Sequence, residues 1–209
     1  VNSKGSIKGL DPNRELLHAY LSHSSKECSM RTGLLLVDLQ NDYFPGGKME
    51  LTGILQASGE ARSVLDHFRT NNLPVYHVQH ISLHPGATFF LPRTEGGKIY
   101  SALEPLAGEK VFQKHFPNGF RETLLLETLQ KEDVKHLVIA GAMSHMCVDA
   151  TVRAAGDLGL SCTVIEDACA TKELEFKGSL VPAAQVHAAF MAALQAAYAK
   201  VMTAAEFLS

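Results

Sequence analysis

Continuous apolar runs that alternate with helix-like segments constrain the fold of this chain more than any other feature of its sequence. Residues 33–39 read GLLLVDL, and a similar run, KHLVIAGA, occupies residues 135–142. Strands that are apolar on both faces are typical of parallel sheets covered by helices on both sides. Between these runs, apolar residues recur at helical spacing, as in residues 54–68. The pattern predicts an α/β fold, a three-layer αβα sandwich around a mostly parallel six-stranded sheet.

The same reading gives the order of the elements along the chain. Strands are predicted at residues 33–39, 74–80, 109–116, 135–142, 160–167 and 200–204. Helices are predicted at residues 54–68, 121–131, 146–158 and 182–200. Gly159 suits the left-handed position that ends a helix. The connection over residues 81–108 is long for a compact domain, which marks it as a candidate functional loop.

Composition excludes several classes of protein. A net charge of −3 over 209 residues provides no basic surface for nucleic acid. No apolar run is long enough to span a bilayer, and the polar start of the chain does not resemble a signal peptide. The four cysteines show no C-x-x-C spacing. We therefore expect free thiols in a cytoplasmic protein that has no cofactor.

Residues 1–29 differ from the rest of the chain. They are polar, and their one helical signal is Asp11 as N-cap followed by Pro12. We interpret them as an added leader or a native extension, with a lid or a partner-binding arm as the alternative. Residues 30–209 are the predicted catalytic domain.

Three polar side chains stand at or just beyond strand ends. Asp38 closes the first strand, Lys114 follows the third and Cys147 lies about five residues past the fourth. Open parallel sheets bind ligands at the carboxyl ends of their strands, so the three side chains can converge. A thiol near a helix N-terminus and an ammonium is a candidate nucleophile, and a buried carboxylate can take its proton. This set predicts acyl transfer from a small amide to water.

Each of the three residues also has a simpler interpretation when it is taken alone. Cys147 could be a small packing residue, Asp38 a cap for the next turn and Lys114 a solvated side chain. Only their common position at one edge of the sheet favours catalysis.

Longer motifs resemble a known family. The matching segments are LLLVDLQNDYF at residues 34–44, KHFPNGF at 114–120, AGAMSHMCVDATVRAA at 140–155 and EDACAT at 166–171. In this order they resemble the isochorismatase-like cysteine hydrolases, which include nicotinamidase, N-carbamoylsarcosine amidase and ureidoacrylate amidohydrolase. The resemblance covers about residues 30 to 205.

The resemblance implies specific roles for individual residues. Cys147 becomes the nucleophile, Asp38 the general base and Lys114 the third member of the triad. The peptide bond between Ala142 and Met143 is expected to be cis, and the N–H groups of Met143 and Cys147 to form the oxyanion hole. The resemblance also implies a homo-oligomer, a dimer, tetramer or octamer, for which the alanine-rich helix at residues 182–200 offers a packing face.

Metal binding is not expected. Some relatives bind a metal through an Asp-x-His pair and a later histidine after the second strand, whereas this chain has Gln79, His80 and His84 without the aspartate. Two imidazoles alone make a poor closed site. Whether His80 and His84 contact substrate or metal stays open.

Several residues near the strand ends could line a substrate pocket. Arg93 could bind a substrate carboxylate or be a solvated side chain, and Gln40 could orient Asp38 or belong to a turn. The candidate pocket residues are Gln40, Phe44, Phe89, Arg93 and Phe116.

The sequence thus favours a hydrolase that cleaves a C–N bond of a small amide or ureido compound through a thioester on Cys147. One alternative is a catalytically silent, oligomeric binding module on the same fold. The other is an isochorismatase-type vinyl-ether hydrolase, which Cys147 argues against because true isochorismatases lack this cysteine.

Overall fold

The structure is a computed structural model that describes residues 31–209. The predictions made for residues 1–29, including the short helix near Asp11 and the free thiol of Cys28, lie outside the described residues.

Six strands form one parallel sheet in the order β3-β2-β1-β4-β5-β8. They are β1 (Arg31–Val37), β2 (Val75–His80), β3 (Lys110–Lys114), β4 (Val134–Ala142), β5 (Ser161–Ala170) and β8 (Lys200–Met202). Two further strands, β6 (Leu174–Phe176) and β7 (Ser179–Val181), pair with each other as an antiparallel hairpin that the sequence pattern did not predict.

Helices cover both faces of the sheet. They are α1 (Ile54–Thr70), α2 (Leu125–Lys131), α3 (Asp149–Asp157), α4 (Ala183–Ala197) and α5 (Ala204–Leu208). Successive side chains of a strand point to opposite faces, so Leu34 and Leu36 pack with α1 and α5 while Leu35 and Val37 pack with α2, α3 and α4. The predicted three-layer αβα sandwich is confirmed.

Several element boundaries differ from the prediction, and two of them have a clear structural cause. The helix expected from residue 121 begins at Leu125, because side chains hold the preceding residues in a loop: Thr123 Oγ1 donates to the Gly119 carbonyl and Asn118 Oδ1 accepts from the Phe120 N–H. Strand β5 runs to Ala170 rather than to residue 167, since the ladder resumes beyond an irregularity.

The sequence pattern suggested that an α-helix begins directly after β4. The structure has a different kind of turn there. Residues Ser144–Val148 form a π-helical turn in which the Met143 carbonyl accepts from the N–H of Val148 at 3.2 Å. Cys147 therefore lies in this turn, and α3 starts two residues later. Single π turns are frequent at functional sites. The predicted left-handed Gly159 is confirmed with a φ of 84°.

The long connection before β3 is fastened to the end of β1. The buried carboxylate of Asp42 accepts from the N–H groups of Lys48 and Phe90. An isolated antiparallel bridge joins Gln40 to Ile99. These contacts fix the loop over residues 81–100 against the edge of the sheet where β1, β3 and β4 end.

Within residues 31–209, no helix is both long enough and apolar enough to cross a bilayer.

Candidate active site

A buried lysine, one of the three predicted catalytic side chains, contacts the other two. Lys114 Nζ lies 2.6 Å from Asp38 Oδ2 and 3.1 Å from Cys147 Sγ. Asp38 and Lys114 are fully buried, and Cys147 is 6% exposed. The convergence expected from the strand ends is therefore present in the structure.

Each of these side chains is placed by a different strand. Lys114 is the last residue of β3, and Asp38 is the first residue after β1. Asp38 has a φ of 52°, a left-handed conformation that is uncommon for a residue with a side chain. Such conformations persist where the surrounding structure over-determines them and cluster at active sites. The N–H of Asp38 donates to the Val78 carbonyl at 3.0 Å, which fixes the turn to the neighbouring strand.

The environment of Cys147 favours the neutral thiol. Burial raises the pKa of Cys147, the Asp38 carboxylate raises it further, and the Lys114 ammonium opposes both. The net direction is upward, contrary to the sequence-based expectation that the helix start and the ammonium would favour the thiolate. Cys147 thus needs a base at the moment of attack, and an Asp38 carboxylate oxygen lies within 4.8 Å of its sulfur.

Lys114 and Asp38 are suited to this task as a pair. Burial lowers the pKa of Lys114, but Asp38 and then Cys147 outweigh burial and raise it, so Lys114 is a stable ammonium. Asp38 Oδ1 is buried and has no hydrogen-bond partner among the described residues. This oxygen is therefore free to accept a proton.

His80 is a further neighbour of the ammonium, and its role was left open by the sequence. Its Nδ1 lies 3.0 Å from Lys114 Nζ. Burial and the Lys114 charge lower the pKa of His80 to about 4, so its imidazole is neutral at physiological pH. The sequence could have indicated this contact. His80 is the last residue of β2, and β2 pairs with β3, whose last residue is Lys114.

Tyr43 lies near the same site and was not predicted as a site residue. Burial, Cys147 and Asp38, in that order, raise the pKa of Tyr43 well above its usual value. Its ring packs edge-on against Phe90 at 4.6 Å, and Phe90 contacts Phe89 at 5.0 Å between ring centroids. Phe90 also lies 5.9 Å from the His80 ring. An aromatic cluster therefore adjoins the triad.

The peptide bond between Ala142 and Met143 is cis in the structure, at the position that the resemblance implied. It stands between the end of β4 and the π turn that carries Cys147.

The other candidate pocket residues are dispersed. Gln40 and Phe44 are buried: the Gln40 carboxamide bonds only to backbone groups, and Phe44 stacks on Tyr100 at 3.7 Å. Both therefore act as internal packing and bracing rather than as pocket walls. The Arg121 guanidinium lies 3.5 Å over the ring of Phe116.

Arg93 and His84 do not join the triad. Arg93 is exposed and lines a cavity of about 390 Å³ with Gln79 and Gln113. Gln79 and Gln113 each precede a residue that faces the triad, so their side chains point to the other side of the sheet. His84 is exposed, and its Nδ1 lies 3.1 Å from the Pro85 carbonyl.

Arg153 and Asp167 each have a partner outside the triad. Arg153 pairs with Asp149, one helical turn away, and Asp167 accepts from the backbone N–H of Ala204.

A metal ion does not fit among Asp38, His80 and Cys147 as they stand. Oxygen, nitrogen and sulfur atoms of Asp38, His80 and Cys147 lie within 4.8 Å of one another, and these are ligand types that zinc accepts. However, the Lys114 ammonium lies within hydrogen-bonding distance of all three side chains. The position that a cation would take already holds a positive charge.

Comparison with known proteins agrees with this geometry. Residues 32–206 match the isochorismatase domain. The uncharacterized isochorismatase family protein YddQ of Bacillus subtilis is 52% identical over 86% of this chain and 99% of its own length. The crystal structure of an isochorismatase-like hydrolase from Oleispira antarctica is 50% identical, with a TM-score of 0.83 over 86% of this chain and 97% of that one.

A relative with a named activity is also similar. The nicotinamidase of Escherichia coli is 30% identical to this chain over 65% of its length and 81% of the length of the nicotinamidase. A domain match over residues 32–206, a parallel six-stranded sheet between layers of helices and a buried Asp–Lys–Cys cluster lead to one conclusion. The chain belongs to the isochorismatase family of hydrolases.

Proposed function

We propose that the protein is a cysteine amidohydrolase that cleaves a C–N bond of a small, planar amide or ureido compound. The observation that carries the proposal is the contact of one buried ammonium, Lys114, with both a carboxylate and a thiol. The similarity to an enzyme named nicotinamidase supports amide hydrolysis. The burial of Cys147 and the adjoining aromatic rings of Tyr43 and Phe90 support a small, flat substrate.

Acylation begins with the transfer of the Cys147 proton to the Asp38 carboxylate. The sulfur then forms a bond to the carbonyl carbon, and the negative charge moves to the carbonyl oxygen. The backbone N–H groups of Met143 and Cys147 are the proposed donors to this oxyanion. The C–N bond breaks as Asp38 returns the proton to the leaving nitrogen, which departs as ammonia or an amine while the carbonyl carbon stays on the sulfur as a thioester.

Deacylation repeats the sequence with water. Asp38 removes a proton from a water molecule, whose oxygen attacks the thioester carbonyl. The C–S bond breaks, the thiolate recovers the proton and the acid product leaves. Throughout, Lys114 stabilises whichever of Asp38 and Cys147 carries the negative charge.

A covalent intermediate is the direct test. The protein is screened against small amides and ureido compounds with ammonia detection, and turnover mixtures are quenched in acid for peptide mass mapping. The acyl adduct is expected on the peptide that contains Cys147, and Cys147→Ala should lose both adduct and activity. Cys162→Ala removes another buried thiol, whose pKa burial raises to about 12, and should keep both.

The same screen separates the alternatives, because isochorismate is included as a vinyl-ether substrate. Turnover of isochorismate by Cys147→Ala would replace amide hydrolysis with a water-based mechanism centred on Asp38. Absence of turnover with every compound, together with tight binding of one, would favour a silent binding module.

We also propose that activity requires no divalent metal, since Lys114 holds the place of the cation. Dialysis against a chelator should leave activity unchanged. Removal of Lys114 should open the place, so Lys114→Ala should retain zinc after incubation and desalting where the wild type does not. Stoichiometric zinc in the wild type, with activity lost on its removal, would contradict the proposal.

A further inference from the structure

We propose that His80 is a positioning residue: its Nδ1 accepts a hydrogen bond from Lys114 and keeps the ammonium directed at Cys147. The inference rests on the proposed function in one respect, namely that Lys114 acts on Cys147.

The hydrogen-bonding capacity of the ammonium is the first argument. A lysine ammonium has three N–H donors and no acceptor. Lys114 Nζ has three acceptors around it, Asp38 Oδ2 at 2.6 Å, His80 Nδ1 at 3.0 Å and Cys147 Sγ at 3.1 Å. Because Lys114 is fully buried, a donor without a partner would be costly. The three acceptors together account for every N–H and fix the rotation of the ammonium about its terminal bond.

The protonation state of His80 is the second argument. Only an imidazole with an unprotonated Nδ1 can accept a hydrogen bond from Lys114. The surroundings of His80 favour this neutral form of the ring. Burial first and the Lys114 charge second lower the pKa of His80, whereas Asp38 raises it; His115 and His84 lower it further. The neutral ring then carries its proton on Nε2.

The third argument is that His80 is itself held in place. The buried carboxamide of Gln40 accepts from the His80 N–H at 2.7 Å and donates to the His80 carbonyl at 2.8 Å. The same Gln40 nitrogen donates to the Gly97 carbonyl at 2.8 Å. Gln40 thus clamps the backbone of His80 from both sides and connects it to the long loop. A residue whose only role was to fill space would not need this arrangement.

Loss of the His80 acceptor should therefore weaken the effect of Lys114 on the thiol. With two acceptors left, the ammonium can turn toward Asp38, the shorter of its contacts, and leave Cys147 with less positive charge nearby. The pKa of Cys147 should rise as a result.

A matched pair of variants tests this. His80→Asn keeps an acceptor atom near the position of Nδ1, and His80→Leu has a similar shape without the acceptor. The rate of Cys147 alkylation by iodoacetamide is measured from pH 5 to pH 11, with peptide mass mapping to separate Cys147 from the other thiols. Because the pKa of Cys147 is raised, this range covers the rising part of the profile, and the midpoint compared between proteins is defined as the pH at which each reaches the rate that the wild type has at pH 8. For His80→Leu we expect the midpoint of the profile to move upward by about one pH unit, the size of one hydrogen bond. His80→Asn should stay within a few tenths of a unit of the wild type.

Steady-state turnover of the amide found in the screen gives a second readout. His80→Leu should lower kcat about tenfold with little change in KM, and His80→Asn should recover most of it. Melting temperatures control for unfolding: a merely structural role would lower stability in His80→Leu without moving the alkylation midpoint.

The outcomes are separable from those of the proposed function, because alkylation needs no substrate. A wild-type midpoint in a folded His80→Leu would overturn the role of His80 while leaving Cys147-dependent amide hydrolysis intact. A shifted midpoint in a protein that hydrolyses no amide would support the role of His80 and count against the proposed function alone.

Discussion

Asp38 and Lys114 are two buried charges that stabilise each other only as a pair. Their side chains are fully buried and 2.6 Å apart. Breaking such a pair by removing one partner typically costs about 3–5 kcal/mol, because the remaining charge is left in an apolar environment. The cost should be large for Asp38, because its other oxygen already has no partner among the described residues.

We therefore predict that Lys114→Met loses both activity and stability. Its free energy of unfolding should fall by roughly 3–5 kcal/mol. The double variant Asp38→Asn/Lys114→Met removes both charges and should be more stable than Lys114→Met, while remaining inactive. Urea unfolding and turnover measure the two effects separately.

The control for this pair is Lys98→Met. Lys98 pairs with Glu95 at the surface, where their side chains are 61% and 82% exposed, so its loss should change stability by less than about 0.5 kcal/mol. Wild-type turnover in the double variant would remove Asp38 and Lys114 from the mechanism.

The residues of the candidate site differ in how far the sequence could predict them. Asp38, Lys114 and Cys147 were predictable because a parallel sheet brings its strand ends to one edge. The partners of Gln40 were not predictable, because its side chain contacts the backbone of a residue 40 positions away, His80. In the sequence, the same glutamine could equally belong to a turn. The resting state of Cys147 was also beyond the sequence, because it depends on how deeply the thiol is buried.

At the scale of elements, the end of β4 is the most constrained segment near the site. Gly141 has a φ of 143°, and a Cβ placed there would lie 2.1 Å from the Val37 carbonyl oxygen of β1. Because this neighbour is backbone in the centre of the sheet, it cannot move aside. This close approach of β4 to β1 lies just before the π turn. It therefore fixes the position at which the turn that carries Cys147 starts.

We predict that Gly141→Ala destabilises the protein by more than about 3 kcal/mol or prevents folding. The matched control is Gly59→Ala in α1, where an added Cβ meets nothing within 4 Å. A glycine in a helix interior costs about 0.5–1 kcal/mol relative to alanine, so Gly59→Ala should be stabilising. Equal urea midpoints for Gly141→Ala and the wild type would contradict the backbone geometry described here.

A cluster of three charged or polar side chains ties α1, β2 and the start of β3 together. Glu109 accepts from Arg69 at 2.7 Å and from His77 at 2.8 Å, and its carboxylate also accepts from the Leu106 N–H. Burial raises the pKa of Glu109, but Arg69, His77 and Leu106 outweigh burial and lower it to about 2. The cluster joins these elements most firmly when Glu109 is ionised.

We predict from this shift that acid weakens the fold in a defined window. A carboxyl group whose folded pKa is depressed contributes stability above its unfolded pKa, about 4.5, and loses it as the pH falls toward 2. Glu109→Gln should therefore flatten the loss of stability between pH 4.5 and 2, measured as urea midpoints. Glu95→Gln, at an exposed ion pair, should leave the slope unchanged; a wild-type slope in Glu109→Gln would contradict the prediction.

Most elements were predictable because they obey the local rules of burial. The strands of the sheet read as apolar runs, and α1 reads as an apolar stripe. The hairpin of β6 and β7 was missed because each strand has only three residues and these are mostly exposed, so the alternation in Leu174–Phe176 is too short to stand out. The start of α2 was misplaced because side chains of Asn118 and Thr123 capture backbone groups that a helix would otherwise use.

At the scale of the whole molecule, exposed large apolar side chains are distributed over the described residues, and two of the most exposed lie on the hairpin that precedes α4 in the chain. Phe176 and Leu180 of the hairpin are 69% and 66% exposed. Helix α4 buries only Val186, Met191 and Leu194, and its outward face is mostly alanine. Exposed apolar side chains on the hairpin and an alanine face on the helix that follows it in sequence make residues 174–197 the candidate surface for contact with another protein.

We predict that a second copy of this chain covers this surface. The wild type should sediment as a homo-oligomer at micromolar concentration, and Phe176→Asp should shift the mass toward the monomer. Leu55→Asp, which changes an exposed leucine in the first turn of α1, is the control and should not change the mass. A monomeric wild type would contradict the prediction.

The separation of the triad along the chain has a consequence for synthesis on the ribosome. Asp38 and Lys114 are 76 residues apart, and Cys147 follows Lys114 by another 33. At about 5–20 residues per second, Asp38 emerges roughly 4–15 s before the ammonium that neutralises it. During this interval the nascent chain cannot bury Asp38 without leaving its charge unpaired. The apolar strand β1, which later lies at the centre of the sheet, therefore stays exposed to solvent. We expect chaperones to engage the nascent protein in this interval, and to release it once β3 and β4 have been made.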